Sequence, residues 1–428
     1  MARGVRLCIT GSEVMNGFVL DRNTQFFASE LYALGLELVE SRILHDDPQH
    51  IMATWKEFAA TGDIIVNSGG LGPTTDDLTV DLLCEWQKDT PVYEPHAEKR
   101  TRYFFEKRAK LQPNSYSLET ALRQARIPSR AVAIKNPVGL APGIYLPELN
   151  FFALPGFPDE IKGMWPEVLR CIEEQKTVRS VTRIIPVWGV GESQLFTELR
   201  SLAPDIDKKV SVGVHALPWG CRLFLRAKAG DAGSEAAVAQ IAGTLESHFA
   251  GQVVDDPLGG VIAYCKEKQL KLAVAESCTG GLAAKQITDI AGVSAIFTGG
   301  VVSYANEAKT ALVDVPQDLI VAHGAVSAEV AAAMARGVSQ KLETDLSLSF
   351  TGIAGPDGGS ESKPVGTVFV GLHDARTGKT LVARFLFPFG RERFRNATVA
   401  TGFIALWQYL HQPNGGGVFP LSTFHSAL

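Results

Sequence analysis

Residues 5–44 read "VRLCITGSEVMNGFVLDRNTQFFASELYALGLELVESRIL", and the changes of hydrophobic period along this stretch decide the fold class. "VRLCIT" is a short apolar run ending at a glycine. "NTQFFASELYALG" brings apolar residues round one helical face, and "LELVESRIL" returns to a β-rich run. The same alternation continues through "HIMATWKEFAAT" and "DIIVNSGG". Parallel neighbours need crossover connections, so strand–helix–strand repetition predicts a parallel sheet with helices on both faces.

This first unit is expected to span residues 1–170. Residues 176–252 then read as a small α+β module, with a strand in "RSVTRIIPVWGVG", a helix, strands "KKVSVGVHAL" and "CRLFLRAKA", and the helix "EAAVAQIAGTLESHFA". A third unit, residues 255–412, repeats the α/β pattern from "KLAVAES" to the closing helix "RNATVATGFIALWQYL". The predicted fold class is therefore α/β, with two doubly wound α/β domains joined by a small α+β domain. The tail, 413–428, opens on a Gly cluster and is assigned no structure.

Length agrees with this division, because 428 residues at roughly 150 per domain make about three domains. The chain is 46% hydrophobic and 20% charged, as expected of a globular protein, and its net charge of −5 supplies no footprint for nucleic acid. The six cysteines are scattered without a C-x-x-C pair, which argues against a zinc site or a disulfide frame. No signal peptide and no apolar run of membrane-spanning length is read, so a cytoplasmic location is expected. Direct contact with nucleic acid or membrane is not expected, and a homodimer is the default assembly.

In doubly wound sheets, ligands bind where strands run into turns at their carboxyl ends. Residues 273–285, "AVAESCTGGLAAK", form such a turn, with Glu276, Ser277, Cys278, Thr279, Gly280 and Gly281 ahead of a helix. Backbone N–H groups at that helix start favour a phosphate or a developing oxyanion, and Ser277 either caps the helix or acts as a nucleophile. Residues 299–309, "GGVVSYANEAK", place Tyr304, Asn306 and Lys309 at a second turn. Lys309 is either a solvated helix lysine or, with a depressed pKa, a base for the serine. A third turn, "SFTGIAGPDGGSESKPVGTV", carries Thr351 and Gly352 and is either an ordinary loop or a close backbone approach to a ligand. In the first unit, "TGSEVMNG" and "NSGGLGPTTDDLT" bring Glu13, Gly69, Gly70, Gly72, Thr74, Asp76 and Asp77. Their backbone donors suit phosphate and their carboxylates a hard cation, while an Asp cap accounts for one acid of the pair.

Taken together, these motifs resemble those of the competence/damage-inducible CinA family over nearly the whole chain. "AESCTGG", "GGVVSYANEAK", "HGAVS" and "GIAGPDGGSESKPVGTV" are similar to the nicotinamide-nucleotide amidase domain of that family. "GSEVMNGFVLDRN", "GGLGPTTDDLT", "NPVGLAPG" and "LPGFPDE" resemble the molybdopterin-binding domain of the MogA and MoaB type. The middle segment with "GVGES" resembles the KH-like domain found between them. The resemblance implies hydrolysis of nicotinamide mononucleotide to nicotinate mononucleotide and ammonia, in salvage of pyridine nucleotides. Ser277 would be the nucleophile, with Lys309 and Tyr304 as basic and proton-relaying partners. Glu276, Thr279, Gly280, Gly281, Asn306, Thr351, Gly352 and Arg391 would line the substrate site, with no cofactor. The family's "GDR" segment reads "FGRERFR" here, so Arg391 and Arg395 keep the spacing while the Asp is missing.

For the N-terminal domain the resemblance implies one of three uses. The first is a metal-dependent ADP-ribose pyrophosphatase, with Mg, Mn or Co held by Asp76 and Asp77 together with Glu13 and Asp21, and with Asn23 at the nucleotide site. The second is pterin binding, and the third is the fold alone. Small-molecule nucleotides are the implied partners. The alternative to the enzyme is a pterin- or nucleotide-binding regulator of competence or the DNA-damage response, without N-terminal catalysis.

Overall fold

The computed structural model describes residues 4–111, 117–173, 180–217, 219–228, 230–411 and the two-residue strand His425–Ser426. Apart from that strand, the tail assigned to 413–428 lies outside the described residues. The chain divides into two compact units, Met1–Arg183 with Arg226–Val238, and Ile184–Leu225 with Ala239–Leu428.

In the first unit a six-stranded sheet has the order Leu38–Leu44, Val5–Thr10, Ile64–Ser68, Phe151–Leu154, Gly143–Leu146, Val132–Ile134. The first four strands are parallel and the last two antiparallel. The sheet is mixed rather than wholly parallel because only the turn Pro147–Leu149 joins Gly143–Leu146 to Phe151–Leu154, and that is too short for a crossover. Alternation along Val5–Thr10 sends Leu7 and Ile9 to a core with Phe27, Leu31 and Trp165. Cys8 goes to the opposite core, with Trp55 and Phe58.

A three-stranded sheet of order Val210–Leu217, Gly220–Ala227, Thr182–Trp188 follows, with the helices Glu192–Leu202 and Ala232–His248. These are the elements expected of the α+β module. The boundary between the two compact units falls within it.

The second unit is built on a sheet of order Phe297–Val302, Leu272–Glu276, Leu346–Gly352, Thr367–Asp374, Lys379–Leu386, His425–Ser426. Leu272–Glu276 is parallel to both neighbours, and the pairs beyond Leu346–Gly352 are antiparallel. Leu272 and Val274 face a core shared with helices Pro257–Lys268 and Arg391–His411, while Ala273 and Ala275 face Val330, Met334 and Val338 of Ala328–Leu342. Both faces are therefore covered, as the run of apolar residues in Leu272–Glu276 requires. The chain leaves Leu272–Glu276 for a strand on one side and later enters a strand on its other side. The carboxyl end of Leu272–Glu276 is thus a topological switch point, where a ligand site is expected.

Candidate functional site

Ser277 is the first residue beyond that strand, and its N–H donates to the Phe350 carbonyl at 2.9 Å. The turn that follows passes through Gly280 (φ 57°) and Gly281 (φ 93°), left-handed conformations in which a side chain would be strained. Ser303 lies at the end of the adjacent strand, its N–H donating to the Glu276 carbonyl at 2.8 Å. One helical turn on, in Asn306–Val313, Lys309 folds back towards both strand ends.

Lys309 Nζ sits 3.1 Å from Ser277 Oγ and donates to the carbonyls of Ser303 (3.0 Å) and Tyr304 (2.9 Å). Lys309 is 1% exposed and Ser277 8%. Among the described residues no carboxylate forms an ion pair with Lys309. Burial accordingly lowers its pKa, against smaller opposing effects of Cys278 and Glu307. An ammonium would fill all three contacts as donor; a neutral amine fills the two carbonyls and leaves its lone pair facing the serine hydroxyl. Burial favours the second state.

Cys278 is packed in the apolar core beside Ala283 and Ile287, and burial pushes its thiol up to about 12. So high a pKa leaves almost no thiolate at neutral pH.

Several sequence expectations are corrected here. Glu276 does not face a substrate: it is fully buried and accepts from the N–H groups of Gly281 (2.9 Å), Ala283 (3.1 Å) and Ala284 (2.9 Å). Its carboxylate fills the start of Leu282–Thr288, so those N–H groups are not free for an anion, and neither Ser277 nor Thr279 is the cap. The Tyr304 phenol does not relay protons to Ser277. The residue is 58% exposed, its hydroxyl accepts from Arg391 Nη2 at 3.0 Å, and its backbone carbonyl is what holds Lys309. Thr351 is buried with its hydroxyl donating to the Ala325 carbonyl at 2.7 Å, so it is a strut rather than a ligand contact. Gly352 ends its strand under Thr367 and Val368, where a Cβ would meet the Thr367 oxygen at 2.8 Å.

Arg391, the first residue of its helix, also donates to the Gly355 carbonyl at 3.2 Å and so ties the Gly-rich loop to Tyr304. Asn306 is exposed at the start of its own helix. Thr279 is buried; its carbonyl accepts from Arg395 Nε at 3.0 Å and from Arg395 Nη2, while its hydroxyl has no partner. Gly280 lies beneath that guanidinium.

In the first unit, Glu13, Asp21, Asn23, Gly69, Gly70, Gly72, Thr74, Asp76 and Asp77 all line one cleft of about 610 Å³. Gly69 (φ 116°) packs so closely that a Cβ would lie 2.2 Å from the Thr10 carbonyl oxygen, which only glycine permits. Asn23 is buried and donates to Ser68 Oγ (3.0 Å) and the Gly156 carbonyl (2.8 Å), while its own Oδ1 has no partner.

The expected metal set is not assembled. Among the described residues no three His, Cys, Asp or Glu side chains gather into a metal-holding group. Asp77 is committed to its own loop, accepting from Gly72 N–H (2.7 Å), Thr74 N–H (2.8 Å) and Thr74 Oγ1 (2.6 Å). Asp21 Oδ1 accepts from the N–H groups of Asn23 (3.0 Å) and Thr24 (2.9 Å), the first two residues of helix Asn23–Ala33. Asp76 is exposed. Carboxylates already satisfied by backbone donors do not fit a divalent site.

Residues 258–410 match the family model described as "CinA C-terminal domain", and residues 6–174 the one described as "Probable molybdopterin binding domain". The "CinA-like protein" of Syntrophomonas wolfei subsp. wolfei is 36% identical over 421 residues, covering 96% of this chain and 99% of that one. The chain belongs to the CinA family. A second CinA-like protein, from Parasynechococcus marenigrum, is 33% identical over 408 residues, 92% of this chain and 96% of its own. Among solved structures, the competence/damage inducible protein CihA from Agrobacterium tumefaciens is 36% identical, covering 37% of this chain and 98% of that chain at a TM-score of 0.35. Among the described residues of this CinA protein, no helix is long and apolar enough to cross a membrane.

Two residues of the CinA chain gain a place that sequence reasoning did not give them. Ser303, one residue before Tyr304 in "VVSY", holds the lysine through its carbonyl, and a backbone contact of this kind leaves no signal in side-chain type. Glu160, in "LPGFPDE", lines the N-terminal cleft and accepts from Asn136 Nδ2 at 2.6 Å. Burial raises its pKa. The quoted motif contains it, but an acid in the first turn of a helix reads equally as a dipole partner.

Proposed function

We propose that this CinA protein hydrolyses a carboxamide, that of nicotinamide mononucleotide, with Ser277 as nucleophile and Lys309 as its base. The observation that carries the reading is the buried lysine 3.1 Å from the serine hydroxyl, held by two carbonyls and, among the described residues, paired with no carboxylate. A serine needs a base to become a nucleophile, and a desolvated neutral lysine can serve. Ser277 Oγ attacks the amide carbon as its proton passes to Lys309 Nζ. The resulting ammonium returns that proton to the departing ammonia, leaving an ester on Ser277. Water, deprotonated by the same amine, then cleaves the ester to give the acid and restore the hydroxyl.

The substrate assignment rests on the family resemblance and on Arg391. Its guanidinium is exposed and uses Nη1 and Nη2 on Gly355 and Tyr304, so N–H groups remain for a phosphate. Tyr304 spans the distance between the two ends of the site, with its carbonyl on Lys309 and its hydroxyl on Arg391. The reading is tested by ammonia release from nicotinamide mononucleotide by the purified full-length chain, with nicotinamide riboside as the substrate lacking the phosphate. Turnover of the mononucleotide with a much lower kcat/KM for the riboside supports it, and release from neither removes it.

For the N-terminal cleft we propose binding of a nucleotide or pterin ligand without a hydrolytic step. Asn23 lines the cleft, and its buried Oδ1 has no partner, which supports this, since an orphaned acceptor is costly unless a further donor completes it.

A further inference from the structure

Helix Pro95–Leu111 of the first unit carries six Lys and Arg against the two acids Glu98 and Glu106, in a chain whose net charge is −5. A charge summed over the whole chain conceals so local an excess. Ala97 and Thr101 of this helix are buried. At about 3.6 residues per turn the side opposite them holds Lys99, Tyr103 and Lys110, with Lys107 and Phe104 following round one flank. All five are exposed. Lys99, Tyr103 and Lys107 succeed one another at i, i+4 and i+8, in steps of about 6 Å along the axis.

Two features separate this face from an ordinary solvated one. Charges on a helix surface commonly pair at i, i+3 or i+4, as Arg102 pairs with Glu98 at 2.7 Å on this helix. Lys99, Lys107 and Lys110 are exposed and, among the described residues, form no ion pair. The helix dipole accounts for a cation at Lys110, in the last turn, but not for one at Lys99 near the start. The second feature is aromatic. Tyr103 is 59% exposed and Phe104 44%, and their rings meet edge to face with centroids 5.4 Å apart, leaving ring surface available to a partner.

From the unpaired lysines and the exposed rings on one face we infer that helix Pro95–Leu111 binds a single-stranded polynucleotide. The lysines neutralise phosphates and the rings stack on bases, a combination that holds a strand without reading its sequence. A duplex offers its phosphates but keeps its bases stacked away from the rings. An anionic membrane fits less well. A helix lying on lipid buries an apolar face rich in aliphatic side chains, and no Leu, Ile, Val or Met stands among residues 99–110. The surface belongs to the first unit and is independent of the amidase reading.

The test is fluorescence polarisation of a fluorescein-labelled oligo(dT) with the full-length chain over a range of salt. Binding is expected at low salt, with log K falling against log salt at a slope of about −2, from roughly −0.7 for each lysine. Lys107→Gln is expected to reduce that slope by about 0.7. Tyr103→Ala is expected to raise Kd roughly fivefold or more with the slope unchanged, and Tyr103→Phe to bind as wild type does. These are exposed positions, so the circular dichroism spectrum should not change. Absence of binding at low salt, equal affinity for annealed oligo(dA)·oligo(dT), or wild-type affinity in Tyr103→Ala would overturn the proposal. So would flotation with phosphatidylserine vesicles, lost on substitution of the lysines, while oligo(dT) stays unbound; that result would assign the face to an anionic membrane.

Discussion

Lys309 Nζ and Ser277 Oγ lie 3.1 Å apart with both side chains buried, and the lysine's other two contacts are neutral carbonyls. The pair is brought together by two adjacent parallel strands, whose ends carry Ser277 and Ser303, and by a helix that starts two residues after Tyr304. Among the described residues no carboxylate is placed to stabilise an ammonium at Lys309, as the proposed role of base requires.

Burying the lysine has a cost that depends on pH. The Lys309 pKa is lowered from the ordinary 10.5 by burial. Between the lowered folded value and 10.5 the unfolded chain therefore binds more protons, and stability rises with pH. Below the folded value the whole penalty is present. Lys309→Met removes the titration, so in urea unfolding the variant is expected to gain on wild type as pH falls through that window. Catalysis has the same direction: kcat/KM of wild type is expected to fall on the acid side with the lysine's depressed pKa.

Cys278 stands next to Ser277, the proposed nucleophile, and is expected to be inert. With its thiol pushed up to about 12, iodoacetamide at pH 8 should leave it unmodified in the native state, as peptide mass mapping would record. Cys278→Ala should retain amidase turnover within a few-fold while losing about 1 kcal/mol or more of stability from the small cavity.

Glu276→Gln keeps the shape of the side chain but removes the charge and presents an NH2 to backbone donors. Three hydrogen bonds to a buried carboxylate are altered, and a loss of about 2 to 3 kcal/mol in urea unfolding is expected. A variant as stable as wild type would mean that the carboxylate is not what holds the turn.

The neighbouring acids of the N-terminal loop should behave differently. Asp77→Ala leaves the Gly72 and Thr74 donors unmet and should cost about 1–2 kcal/mol. Asp76→Ala, at an exposed position, should change stability by less than about 0.5 kcal/mol. Calorimetric titration with Mg, Mn or Co is expected to show no site that either substitution abolishes.

The α/β class was legible in the periods of residues 5–44, because strand and helix bury their apolar residues at different spacings. The antiparallel edges were less so. A strand's direction depends on the length of the connection before it, and the short turns at Pro147–Leu149 and after Asp374 decide it. At the site, Ser277 was visible as a chemically able residue at the end of a strand, and Lys309 as one shortly after the end of another. The roles of Glu276, Tyr304 and Thr351 were not, because each depends on the direction of a side chain. Glu276 turns inward to cap a helix, Tyr304 outward to Arg391, and Thr351 to the Ala325 carbonyl. In the first unit nine candidate residues share a cleft, yet motif proximity could not reveal that backbone donors already hold Asp21 and Asp77.

The most direct test of the serine–lysine pair is a kinetic cycle of Ser277→Ala, Lys309→Met and the double variant, followed by ammonia release from nicotinamide mononucleotide. Groups that act as one unit are not additive. Each single variant is therefore expected to lose roughly 10²–10⁴-fold in turnover, and the double variant no more than the worse of the two. Wild-type turnover in either single variant, or losses that multiply in the double, would contradict the pairing of Ser277 with Lys309.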